Sequence, residues 1–236
     1  MRLNKYIASC GVASRRAADA IVAEGRVTVN GRPVDTIGMD VDPDTDKVAV
    51  DGALLSLERK NVYIMLNKPA GVLSTCHDDR GRRTVLDLVG KAEQRLFPVG
   101  RLDYDTEGLL LLTNDGAFAY RCTHPKHELD KTYMAVVHGR LDEGAIRHLQ
   151  NGILLEGVKT APAKIKILER TESGYRVHIT IHEGKNRQVK RMFEAVGCHV
   201  MQLKRIAFGK LTLGDLPTGK WRFITNVELE SIERHV

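Results

Sequence analysis

Apolar residues recur at helical spacing from the start of the chain. Leu3, Tyr6, Ile7 and Cys10 lie three or four apart, with Gly11 placed as a C-cap. Ser14 is positioned to cap a second helix with an apolar face of Ala17, Ala18, Ile21 and Val22, ending near Gly25. The period then drops to two. Residues 26–29 alternate like a strand, Asn30-Gly31 is a strong hairpin-turn signal, and Arg32-Pro33-Val34 begins the return. Residues 47–50 form another strand before a turn at Asp51-Gly52. Two short basic helices followed by short strands make a small α/β module over residues 1–60, closed by a polar linker at 57–61.

Beyond the linker, residues 62–66 read as a strand stopped by Asn67-Lys68-Pro69-Ala70-Gly71, and a charged loop follows at 77–83. Residues 108–113 are a short apolar run, Gly-Leu-Leu-Leu-Leu-Thr, whose length favours a strand buried on both faces over a helix. A short helix is expected at 115–122, strands at 132–137, 175–181 and 221–224, and a longer helix at 186–196. In that helix Val189, Met192, Phe193 and Val196 form the core stripe, while Arg187, Lys190 and Arg191 share another face. The expected fold class is α+β, with a mixed-sheet second domain over residues 61–236.

Composition supports a folded protein: 42% of residues are hydrophobic and 28% charged, too apolar for a disordered chain. The net charge of +6 is modest, but it is unevenly spread. Residues 1–34 hold six basic side chains against Asp19 and Glu24, and residues 185–210 hold seven against Glu194, while 35–60 are acidic. Two separated basic stretches suit two surfaces gripping one polyanion, and a phosphate backbone is the obvious one. The four cysteines are scattered with no metal-binding spacing, which argues against zinc and disulfides and fits a reducing cytoplasm. No apolar run reaches membrane-spanning length and no signal peptide is evident, so no membrane association is expected.

The segment richest in chemistry is Gly100-Arg101-Leu102-Asp103-Tyr104-Asp105-Thr106-Glu107-Gly108. A polar loop bracketed by glycines and anchored to a buried strand can hold a carboxylate rigidly at a cleft edge. The same pattern also suits an ordinary surface turn in which Asp103 and Asp105 merely cap or solvate. His124 with His127, and His178 with His182, have spacings a metal could use, but no third ligand accompanies either pair, and no metal is expected.

The 100–108 segment resembles the active-site motif of pseudouridine synthases, in which Arg-Leu-Asp precedes a Thr-x-Gly and a Leu-rich strand. Leu66-Asn67-Lys68-Pro69-Ala70-Gly71, Lys131-Thr132-Tyr133 and residues 183–192 (Glu-Gly-Lys-Asn-Arg-Gln-Val-Lys-Arg-Met) resemble further motifs of that family, in its order. The last is typical of the RsuA-type branch, which also carries an N-terminal module like ribosomal protein S-four, and residues 3–34 resemble it. One departure is Glu107, where a small residue is commoner; it leaves Asp103 as the motif's carboxylate. The 151–163 stretch is similar to the members acting on large-subunit rRNA, the RluB-like branch.

The resemblance implies isomerisation of a uridine in ribosomal RNA, a reaction without net redox change or external group, so no cofactor is demanded. Asp103 becomes nucleophile or base. Lys190, with Arg191 as its rival, becomes the cation that keeps Asp103 ionised. Tyr133 offers an aromatic face to the base, and Arg101 fills the vacated stack or holds a phosphate. RNA contacts are expected from Arg2, Lys5, Arg15, Arg16, Arg26 and Asn30 in the module, and from Lys68, Arg187 and Arg191 beyond it. Arg15 and Arg16 follow a helix cap, where the helix N-terminus itself attracts anions. The expected state is a cytoplasmic monomer acting on rRNA, naked or within an assembly intermediate. Small-subunit rRNA is the nearest alternative target; a non-catalytic assembly factor, or a glycoside hydrolase pairing Asp103 with Asp105, are readings of other classes.

Overall fold

The computed structural model describes residues 1–57, 60–90, 94–172 and 174–234. Its contacts separate into two compact units, one built chiefly from Met1–Val62 and one from most of the remainder.

In the first unit, helices α1 (Leu3–Ser9) and α2 (Arg15–Ala23) pack together and precede strands β1 (Val27–Val29), β2 (Arg32–Val34), β3 (Val48–Val50) and β4 (Ala53–Leu54). The sheet order is β2-β1-β3-β4. Ser14 caps α2 by accepting from the Ala17 amide at 3.1 Å. Both hairpin turns have left-handed central residues, Asn30-Gly31 (φ 52° and 77°) and Asp51-Gly52 (φ 50° and 80°), matching the twist of the strands they join. Leu3, Tyr6, Ile7, Ala18, Val22 and the valines of β1 and β3 form the core. Ala17 is exposed rather than part of the α2 apolar face, because that face rotates onto Ala18 and Val22.

The second unit continues with β5 (Tyr63–Lys68), α3 (Val85–Val89), β6 (Phe97–Val99), β7 (Glu107–Thr113), α4 (Gly116–Thr123), β8 (Lys131–His138), α5 (Glu143–Asn151), β9 (Leu154–Leu155) and β10 (Val158–Lys159). It ends with β11 (Lys164–Thr171), β12 (Gly174–Ile181), α6 (Gln188–Ala195), β13 (His199–Phe208), β14 (Leu211–Thr212), β15 (Trp221–Phe223) and α7 (Asn226–Glu233). The main sheet runs β11-β12-β8-β13-β7-β5-β15. Only the central β13–β7 pair is parallel among the described pairings of this path. Leu109 to Leu112 are buried on both faces, as a run with no alternation requires. On one face Phe118, Cys122 and Ile232 from α4 and α7 close over Met65, Leu109, Leu111 and Phe208.

Strand β5 extends through Asn67 and Lys68 instead of stopping before them, because both side chains turn inward and find carbonyl partners. The long central strand β13 and the edge strand β11 gave no clear pattern. Two bulges interrupt the pairing of β13 with β8, and one interrupts β11, so alternation is lost. Among the described residues no helix is long and apolar enough to cross a membrane.

Candidate active site

The loop leading into β7 is pinned from three sides. Lys68 lies beneath it at 0% exposure, and its ammonium donates to the carbonyls of Pro69 (2.9 Å), Thr106 (2.9 Å) and Tyr104 (3.4 Å). The Ser74 hydroxyl clamps Leu102, accepting from its amide at 3.1 Å and donating to its carbonyl at 2.9 Å. The Thr106 amide donates to the Asp103 carbonyl at 3.1 Å, closing a turn around the carboxylate-bearing residue. At the far end of the loop Gly108 (φ +104°) sits against the backbone of Arg205, where a β-carbon would lie 2.2 Å from the Arg205 carbonyl oxygen.

Opposite lies a second wall, the segment entering α6. Gln188 is buried, and its side chain accepts from the Lys185 amide at 3.0 Å and donates to the Glu183 carboxylate, which also receives the Ala161 amide at 2.9 Å. Arg187 takes a left-handed conformation (φ 49°) to enter the helix. Between the walls is a half-open polar cleft of about 80 Å³, lined by Arg101, Asp103, Thr106, Tyr133, Lys185, Arg187 and their apolar neighbours. That is several times the space one ordered water needs. Strand pairing places Tyr133 beside Ile179 and Arg205, and the residue is 9% exposed.

Four expected site residues thus share one cleft: Asp103, Tyr133, Arg101 and Arg187. Lys190 does not pair with Asp103. Its ammonium lies 2.5 Å from the Asp105 carboxylate, with the lysine side chain 8% exposed and the aspartate 57%. This contact holds the Asp105 carboxyl below its ordinary range, helped by the charge of Arg187. Nor do Arg187, Lys190 and Arg191 share a solvent face: Arg187 precedes the helix, Lys190 is buried, and Arg191 pairs with Glu156 at 2.9 Å. Asp105 is not among the cleft-lining residues, so Asp103 and Asp105 do not flank one bond as paired hydrolase carboxylates must.

Lys68 is corrected from RNA contact to internal support, since a wholly buried ammonium cannot reach a phosphate. Burial pushes its pKa down to about 8, against the pull of Asp105, Asp103 and Glu107. Lys131 is likewise internal: it donates to Leu129 and His182 carbonyls, and burial lowers it to about 8. Arg205 is 3% exposed and donates to the Leu109 carbonyl at 2.7 Å. The 185–210 basic run is therefore not one surface patch, because Lys190 and Arg205 point inward.

In the first unit, Lys5, Arg15 and Arg16 are exposed. Arg26 is held by Asp51 and Glu24, and Arg2 by Asp40 and the Gly38 carbonyl. Asn30 is committed internally, bonding Asp46 at 2.8 Å and the Lys47 amide at 2.9 Å. It supports the hairpin and spends one hydrogen of its side-chain amide on Asp46. Ser74, Gln188 and the Asp105–Lys190 pair escaped sequence reasoning; only the charge alternation in the loop hinted at the last.

Residues 62–195 match the family model described as RNA pseudouridylate synthase, and residues 1–46 match that of the S4 domain. The chain is similar to ribosomal large subunit pseudouridine synthase B of Bacillus subtilis (strain 168), 49% identical over 98% of this chain and 95% of that protein. It is similar also to an uncharacterized RNA pseudouridine synthase of Aquifex aeolicus (strain VF5), 44% identical over 100% of this chain and 95% of that protein. A crystal structure of a pseudouridylate synthase superimposes with a TM-score of 0.69 at 33% identity, covering 98% of this chain and 99% of the other.

Proposed function

The chain belongs to the RNA pseudouridylate synthase family, and from that premise we propose that it isomerises one uridine of large-subunit (23S) ribosomal RNA, with Asp103 as the essential residue. The expected architecture, an S4-type module followed by a mixed-sheet synthase domain, holds. The observation that carries the reading is the shared cleft of Asp103 and Tyr133, on a loop and a strand each fixed by buried contacts.

In the reaction the bond from C1′ to N1 breaks, a bond from C1′ to C5 forms, the C5 proton leaves and N1 gains one. Asp103 serves as nucleophile or as base toward the ribose. Tyr133 presents a ring face to the base and a hydroxyl to the cleft. The target must leave its stack, at a cost of a few kcal/mol. Arg101 and Arg187, exposed at the rim, suit phosphate contact that offsets part of this cost. Large-subunit RNA is favoured by the relative whose name specifies it. The protein works in the cytoplasm as a monomer, on naked rRNA or an assembly intermediate; its four cysteines form no disulfide.

Transcripts of both ribosomal RNAs, tritiated at uridine C5, test this reading. Release of one equivalent of tritium to water from large-subunit RNA is expected. Release from small-subunit RNA alone would reassign the target, and none from either would overturn the reading.

Lys5, Arg15 and Arg16, like Arg32 and Lys47, are exposed cations of the module without an ion pair among the described residues. Changing Arg15 and Arg16 to Ala together is expected to lower the slope of log affinity against log salt by about 1.4 to 1.8, two phosphate contacts' worth. Filter binding across salt concentrations checks this, and an unchanged slope contradicts it.

A further inference from the structure

The geometry points to Asp105 as a positioning residue: its ion pair with Lys190 ties the loop that carries Asp103 to helix α6 and so sets the width of the cleft. The inference rests on the functional reading above. Asp103 projects from one wall, and the other wall ends in α6, whose third residue is Lys190. The loop's remaining anchors, Lys68, Ser74 and Gly108, fix it to its own side of the sheet or to β13. The 2.5 Å contact of Asp105 is the ion pair that joins this loop to α6 among the described residues.

The burial of the two partners is unequal, and that inequality assigns the roles. Lys190 is nearly enclosed, and an enclosed ammonium without an anion is costly, so it needs a carboxylate at that place. Asp105 is half exposed and would solvate well by itself. The charge of Arg187 at the α6 entry acts on Asp105, and Lys68 beneath the loop feels Asp105 and Lys190 together with Asp103 and Glu107. Lys68 is engaged by three carbonyls, and Arg187 remains exposed at the rim. With Asp105 holding Lys190, a fixed positive charge stays two residues from Asp103 without covering the carboxylate that must meet the substrate.

The test is a mutant cycle read in single-turnover tritium release and in urea unfolding. Asp105→Asn is expected to lower the rate of the chemical step by up to about 100-fold, the scale of a displacement near 1 Å, with RNA affinity within about twofold. Asp105→Glu should recover most of the rate. Lys190→Gln should be slow as well, and the double variant no slower than the slower single variant, because the two residues act as one unit. Multiplicative losses would overturn the proposal, as would a wild-type rate for Asp105→Asn or a loss confined to RNA affinity. The unfolding cycle needs no substrate: coupling between positions 105 and 190 is expected, and its absence overturns the tether. Should the wild-type protein release no tritium, the functional reading fails, while the unfolding cycle still reads the tether.

Discussion

An Asp103→Asn variant is expected to fold, bind RNA as the wild type does, and lose about 10³-fold or more in pseudouridine formation. The substitution keeps size and shape and removes only the charge and the proton-accepting or nucleophilic oxygen. Folding should be spared, because the loop is held by Lys68 to three carbonyls, Ser74 to Leu102, Thr106 to the Asp103 carbonyl and Asp105 to Lys190. None uses the Asp103 carboxylate. Circular dichroism and RNA binding check the first half, and single-turnover tritium release the second. A variant that modified RNA at the wild-type rate would leave a non-catalytic RNA-binding factor as the better reading.

Gly108→Ala is expected to be among the most damaging single-methyl changes in the chain. The residue's φ of +104° is open to glycine and strained for any other L residue. An added β-carbon would also meet backbone, at 2.2 Å from the Arg205 carbonyl oxygen and 2.7 Å from its nitrogen. Backbone in the middle of a sheet cannot rotate away as a flexible side chain would. The clash falls on the one parallel pairing along the main sheet path among the described residues, where Gly108 faces Arg205. Strain and overpacking together should cost about 3 kcal/mol or more. For a domain of this size that lowers the melting midpoint by about 10 °C. Activity at permissive temperature should fall too, since β7 and the Asp103 loop move together. Differential scanning calorimetry reads the midpoint, and a shift of under 2 °C would contradict this account of the β7–β13 contact.

Local patterns were legible where one kind of order dominated. The helical spacing at the start, the Asn30-Gly31 turn and the tetraleucine strand each carry one unmixed local signal, and each forms as read. The strand β13 was hidden because two bulges break its alternation and Arg205 is buried in it, satisfied by a carbonyl of β7. No local signal reports such a partner ninety-six residues away. The same limit governed the site. The types Asp103, Arg101 and Tyr133 could be picked out from motifs, and they meet in one cleft. Lys68 read as a surface cation because lysine usually is one, and Lys190 read as the partner of Asp103. Their burial depends on carbonyls at 69, 104 and 106 and on the Asp105 carboxylate, and those positions converge only in the folded chain.

The most direct measurement is pseudouridine mapping of total ribosomal RNA from cells lacking this protein, complemented with the wild type or with Asp103→Asn. Wild-type complementation should restore pseudouridine at one uridine of the large subunit, and the Asp103→Asn protein, present at equal level, should leave that uridine unmodified. Restoration by the Asp103→Asn protein, or no change in the map on removing the protein, would contradict the assignment.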